Sequence, residues 1–287
     1  MFQLSAFSDE AGKTLKEQIA ALKRNSLCLT ELRTVDGVNI ADITEKQAKE
    51  YASVLKNEGI SLSAIGSPIG KVNLNADFNA HLDTAKKLFE FCNIFGTDKI
   101  RVFSFYYDIR ECNTAWVCDS MRTLCYIGKT YGVTLYLENE KGVMGDTAEN
   151  CRDILFCVPE LKFVFDPANF VQCGERVIKA LSILKDKIAY AHIKDIDEKS
   201  GEIVPAGEGD GKIAEIVNFL DSKNNNVILT VEPHLAVFDG YGAIDKHQLK
   251  NRYRFQSNGE AFDCAVSALK NLLLNMNFKE KDGVWTR

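Results

Sequence analysis

Short β-rich runs and longer amphipathic runs alternate along this chain, and that alternation restricts its possible folds more than any other feature. Strand-like runs begin near Gln3, Leu27, Ser61, Lys99, Thr134, Lys162, Ile188 and Val227, spaced by roughly 25 to 40 residues. Helix-like segments follow them near 14–25, 44–57, 78–95, 114–131, 147–157, 176–185, 212–222 and 260–276. In the first of these, Leu15, Ile19 and Leu22 recur at helical spacing and form one apolar stripe. The second opens with Thr44 and has Gln47 in the third position after it, a capping-box signature, and it stops at Asn57-Glu58-Gly59. Strands that alternate with helices in this way pair in parallel through right-handed crossovers. An open doubly wound sheet would show a Gly-rich dinucleotide loop after its first strand, and Ser8-Asp9-Glu10-Ala11-Gly12 is not that motif. The expected fold is an α/β (β/α)8 TIM barrel. With no linker or low-complexity tract, one domain over residues 1–287 is expected.

The length of 287 residues suits such a barrel, which typically uses ~250. A net charge of −5 gives no electrostatic footprint for nucleic acid. Nine cysteines include no Cys-x-x-Cys pair and no zinc-ribbon spacing, so they read as small buried hydrophobes kept reduced. Met1 leads straight into a strand-like run rather than a basic and then apolar leader, and no stretch reaches the ~20 apolar residues of a membrane span. The expectation is a cytoplasmic protein without membrane or nucleic-acid partners.

Four successive strand-like runs end on residue types that bind metal ions: Thr134–Glu138, Lys162–Asp166, Ile188–His192 and Val227–Glu232. A single Asp at a strand end is usually a turn or helix cap, and a lone His near a core strand is usually hydrogen-bonded structure. Four at equivalent positions point instead to one site, because functional groups of a barrel gather at the C-terminal ends of its strands. Three carboxylates and one imidazole form a mostly hard ligand set. It suits Mn²⁺ or Mg²⁺, and also admits Co²⁺ or Zn²⁺. Residues two apart share a strand face, so Glu140 joins Glu138, Lys194 joins His192, His234 joins Glu232, and Glu31 aligns with Arg33.

These residues resemble the xylose isomerase-like barrel superfamily of sugar isomerases and epimerases, which also contains endonuclease IV and inosose dehydratase. The matching motifs are Leu137-Glu138-Asn139, Phe165-Asp166-Pro167-Ala168-Asn169, His192-Ile193-Lys194-Asp195, Gly207-Glu208-Gly209-Asp210-Gly211 and Val231-Glu232-Pro233-His234. Upstream, Glu31-Leu32-Arg33 and Ser67-Pro68-Ile69-Gly70-Lys71 look like motifs of a sugar phosphate isomerase/epimerase branch. The resemblance covers essentially the whole chain. It implies that Glu138, Asp166, His192 and Glu232 bind one divalent ion, and that Glu138 and Glu232 also serve as the acid/base pair. Asn169 departs from the pattern, since several epimerases carry there a His that touches substrate; an Asn can bond a hydroxyl but cannot do acid/base work.

The reaction expected is isomerisation or epimerisation of a sugar, sugar phosphate or polyol through an enediolate. An inosose dehydratase-like lyase is the alternative, and an endonuclease IV-like enzyme the remote one, disfavoured by the acidic chain and its four histidines. Substrate contacts are expected from Glu31, Arg33, Glu140, Asn169, Lys194 and His234, with Lys71 available to an anionic group. A carbohydrate is the expected partner, and a homodimer or homotetramer is compatible with the sequence. The long connection from 235 to 258 reads as a lid or a subunit contact. Its Lys246, His247, Lys250, Arg252 and Arg254 could meet a phosphate, although a solvated or interface face is the plainer reading.

Overall fold

In the computed structural model, residues 1–107, 113–223, 226–238 and 252–287 are described. Eight parallel strands form the barrel: β1 (Phe2–Ala6), β2 (Leu29–Leu32), β3 (Ser61–Gly66), β4 (Lys99–Val102), β5 (Thr134–Glu138), β6 (Lys162–Phe165), β7 (Ile188–Ile193) and β8 (Val227–Val231). A C-terminal hairpin of β9 (Lys279–Lys281) and β10 (Val284–Thr286) adds to the free side of β1, giving the order β9-β10-β1-β8-β7-β6-β5-β4-β3-β2. Among the eight barrel strands, each therefore neighbours the next in sequence except across the seam between β1 and β2. There the two strands lie side by side without a backbone ladder. Side chains bridge the seam instead: Thr30 Oγ1 donates to the Ala6 carbonyl at 3.0 Å and lies 2.9 Å from Ser8 Oγ.

The strand starts match the sequence expectation, with β1 and β2 displaced by one and two residues from Gln3 and Leu27. Among the helices, α1 (Leu15–Arg24), α2 (Glu45–Asn57), α3 (Phe78–Phe95), α4 (Thr114–Thr130) and α5 (Ala148–Cys157) follow the predicted runs. An additional short helix, α6 (Pro167–Gln172), follows β6, and then come α7 (Val177–Leu184), α8 (Ile213–Ser222) and α9 (Asn258–Asn275). The stripe of Leu15, Ile19 and Leu22 is buried, and each such side chain removed from water is worth about 2 kcal/mol. Thr44 and Gln47 make the capping box, with Thr44 N–H donating to Gln47 Oε1 at 2.9 Å and Gln47 N–H to Thr44 Oγ1 at 3.2 Å. Thr14 and Glu17 make the same pair of bonds at the start of α1.

The apolar core lies between the helices and the outer strand faces. Cys92, Cys118, Cys125 and Cys151 are buried as expected, but Cys28 is exposed. Cys112, Lys246, His247 and Lys250 lie outside the described residues. Arg252 is spent on Asp197 and Glu202, at 3.0 and 2.9 Å, on the hairpin that follows β7. No helix among the described residues is long and apolar enough to cross a membrane.

Candidate active site

Parallel register brings the four expected ligand residues together. Glu138 ends β5, Asp166 follows β6, His192 sits near the end of β7, and Glu232 follows β8. One ligand atom from each lies within 4.8 Å of all the others, and all four residues are buried. Asp166 is held on both sides by Asn139, whose amide donates to the Asp166 carbonyl at 2.8 Å while its Oδ1 accepts the Asp166 N–H at 2.9 Å. These bonds continue the link between β5 and β6 beyond their ladder. Asp166 also caps α6, because Oδ1 accepts the Asn169 N–H at 3.0 Å and Pro167 occupies the first helical position. The cap consumes Oδ1 and leaves Oδ2 facing the cluster.

That second oxygen tests whether the residues suit a cation. Lys194 Nζ stands 2.9 Å from Asp166 Oδ2, yet no donor is aligned to hydrogen-bond this buried atom. Buried carboxylate oxygens gathered with an imidazole nitrogen are a donor set that a divalent ion can take, with Lys194 supplying the positive charge beside Asp166 in its place. The four residues thus form a cluster able to hold one.

The electrostatics are set by cations placed among these acids. Burial would raise the Glu138 carboxyl, but His192 (2.8 Å from Oε1) and Arg101 (3.0 Å from Oε2) outweigh it and hold the group at about 2. Burial acts likewise on Glu232, and Lys194, His234, His192 and Arg33 together hold it well below the ordinary carboxylate range. For His192 burial disfavours the charged ring, but Glu138 and Glu31 prevail and lift it to about 10. Asp166 goes the other way: burial, only partly opposed by Lys194, raises it to about 7.

Arg33 and His234 line the β1 side of the site. Parallel pairing of Ala6 with Val231 sets the turn after β1 beside the segment after β8. Arg33 makes a two-pronged pair with Asp9 at 2.9 and 3.0 Å, reaches Glu10 at 3.0 Å and Glu232 at 3.3 Å, and lies over the Phe7 ring at 4.4 Å. Glu10 accepts the His234 backbone N–H at 2.6 Å and lies 2.9 Å from its Nδ1, which secures a residue with φ of 45°. Glu10, Glu232 and His234 could be taken for a second metal cluster. Arg33 already bridges both carboxylates, so a fixed guanidinium stands where a second ion would go.

The other expected contacts divide. Lys194 stands between Asp166 and Glu232 at the site, 3.2 Å from Glu232. Lys71 pairs with Glu140 at 3.0 Å and lies 4.3 Å over the Phe103 ring, forming a half-buried rim pair rather than an open cation. Asn169 spends its amide on the Asn139 carbonyl at 2.9 Å, so it braces the Asp166 loop. Glu31 is buried against His192 and Tyr190, which lie 3.1 and 3.2 Å from its two oxygens. Asp9, Glu10 and Arg101 were not anticipated. The strand-end rule applies to the turn after β1 as it does elsewhere, and Arg101, a charged residue between the apolar Ile100 and Val102 of a strand, is itself a signal.

The fold agrees with comparisons to known proteins. Among solved structures, the chain is similar to the probable 3-DHS dehydratase AsbF from Bacillus anthracis, with 18% identity and a TM-score of 0.70, covering 94% of this chain and 99% of that one. It is similar to the IOLI protein with a bound zinc atom, at 17% identity and a TM-score of 0.73 over 94% and 97% of the two chains. It is also similar to an L-ribulose 3-epimerase, at 16% identity and a TM-score of 0.72 over 96% and 97%. A search of curated protein sequences finds no match. The model of the xylose isomerase-like TIM barrel matches residues 28–247, most of the chain. The chain therefore belongs to the xylose isomerase-like TIM barrel family.

Proposed function

We propose that this protein is a divalent-metal-dependent isomerase or epimerase of a sugar or related polyol. The observation that carries the reading is the convergence of Glu138, Asp166, His192 and Glu232 within one buried cluster. When bound there, Mn²⁺ or Mg²⁺ would place positive charge beside two adjacent substrate oxygens and lower the cost of an enediolate. The acid/base work falls to the chain itself. Glu138 and Glu232 are both held ionised, which a base must be in order to accept a proton from carbon. One carboxylate takes the proton next to the carbonyl. Delivery of a different, solvent-derived proton to the opposite face of the same carbon by the other glutamate, once that group has been protonated, inverts the centre, whereas return of the first proton to the neighbouring carbon by the same carboxylate exchanges aldose and ketose. Lys194 offers a buried ammonium to a substrate oxygen, and Arg33 fixes the Glu232 carboxylate through a guanidinium that its acidic partners keep charged.

The same proton abstraction begins a dehydration, the activity named for the Bacillus anthracis relative. Product mass separates the two outcomes, because only dehydration gives a product lighter by one water. The reading is tested by NMR in D₂O with Mn²⁺, across ketoses, aldoses and inososes. Wild-type protein is expected to exchange a carbon-bound proton of its substrate, and Glu232→Gln to lower that rate at least about 100-fold. Undiminished exchange in Glu232→Gln removes the acid/base assignment, and absence of exchange across the screen removes the reaction class.

A further inference from the structure

We propose that Glu31 is a positioning residue that orients His192 toward the cation, an inference that rests on the metal-site reading above. His192 turns Nδ1 toward the cluster, 2.8 Å from Glu138 and 3.7 Å from Glu232, and turns Nε2 away from it. Nε2 meets Glu31 Oε2 at 3.1 Å. The other Glu31 oxygen accepts the Tyr190 hydroxyl at 3.2 Å, so the carboxylate is held at both ends. The ring plane is fixed as well, by the Phe7 edge at 5.1 Å and 79° and by the Tyr190 ring at 5.6 Å and 64°. Glu31 and His192 are fully buried, so no water competes for Nε2.

A carboxylate that accepts from the outer ring nitrogen of a histidine selects one neutral tautomer, with the proton on Nε2 and the lone pair on Nδ1. It also raises the basicity of Nδ1. Outer partners of this kind are worth about 10- to 100-fold in metal affinity. Tyr190 extends the arrangement by one further bond, since it fixes the oxygen that His192 does not use. Glu31 therefore acts on the cation through His192, from a place where it does not touch substrate.

The test uses the intact chain with Mn²⁺ or Zn²⁺ alone. Isothermal titration is expected to give Mn²⁺ affinity about 10- to 100-fold weaker in Glu31→Gln, with a smaller loss in Tyr190→Phe, where Glu31 remains. In Zn²⁺-loaded wild type, the ¹⁵N shifts of His192 are expected to show a protonated Nε2 and a metal-bound Nδ1. That spectrum needs no variant and so stands even if Glu31→Gln does not fold. Wild-type affinity in Glu31→Gln, or a proton on Nδ1 in the loaded wild type, overturns the assignment while leaving the metal site intact. Failure of wild type to bind either ion overturns the metal-site reading together with this one.

Discussion

Metal uptake by this site should be strongly proton-linked, because the metal-free protein keeps protons where a cation needs lone pairs. The His192 imidazole, ordinarily near 6.5, is lifted to about 10: burial opposes its charge, but Glu138 and Glu31 more than compensate. At pH 7 it is therefore an imidazolium between two carboxylates, and an ion can use Nδ1 only by displacing a proton. The distance from about 10 to pH 7 corresponds to competition on the order of 10³-fold in affinity, or about 4 kcal/mol. Asp166 adds a second proton below about 7, because burial raises it from 3.8 against the pull of Lys194. The logarithm of the Mn²⁺ affinity should rise with a slope near two below pH 7 and near one from pH 7 to 9.

Calorimetric titration in buffers of different ionisation enthalpy counts the protons directly. About two should leave per Mn²⁺ at pH 6 and about one at pH 8. The stability of the metal-free protein follows with the matching sign. The raised His192 value contributes stability in full below 6.5, and that contribution is lost as pH rises through about 10. The raised Asp166 value means that an ionisation penalty appears as pH rises from 3.8 through about 7. Thermal melting of metal-free protein should therefore decline from pH 7 to 9, and saturating Mn²⁺ should flatten the decline. A flat affinity from pH 6 to 9, or no proton release at pH 8, would refute the reasoning.

Two further perturbations test the frame around the site. Arg101→Met removes the cation 3.0 Å from Glu138 and leaves His192 as the directly paired cation of a carboxylate buried among other acids, so denaturant unfolding of metal-free protein should show a loss of about 3 kcal/mol. An unchanged midpoint would deny Arg101 its place in the charge balance. Gly70→Ala introduces a Cβ 1.9 Å from the Phe103 carbonyl at a φ of +86°, and should cost more than about 2 kcal/mol while displacing Lys71 from Glu140. Full stability in that variant would mean that the Ser67–Lys71 loop moves freely.

The pattern of the chain determined the barrel and much of its chemistry. Period and spacing are local properties, so the strand runs, the Thr44 capping box and the stripe on α1 could be read directly, and strand ends in a barrel point to one place whatever the details. That is why Glu138, Asp166, His192 and Glu232 were legible together. Some side chains could not be read because their partners are distant in sequence. Glu31 shares a strand with Arg33 and could be read from the sequence as a strand-end carboxylate, but that β7 brings Tyr190 and His192 to its two oxygens could not. The bond from Asn169 to the Asn139 backbone was likewise not legible, because only the packing of β5 against β6 supplies it. Asp9 and Glu10 gained their importance from the β1–β8 pairing, which joins the two ends of the chain and sets Arg33 and His234 against them. Sequence determined which residues stand at the mouth of the barrel, because strand periodicity carries that information. Tertiary structure alone decided which of them gather in one cluster, which hold those that do, and which are fastened to the backbone, because burial and charge pairing act only between residues that folding has brought together.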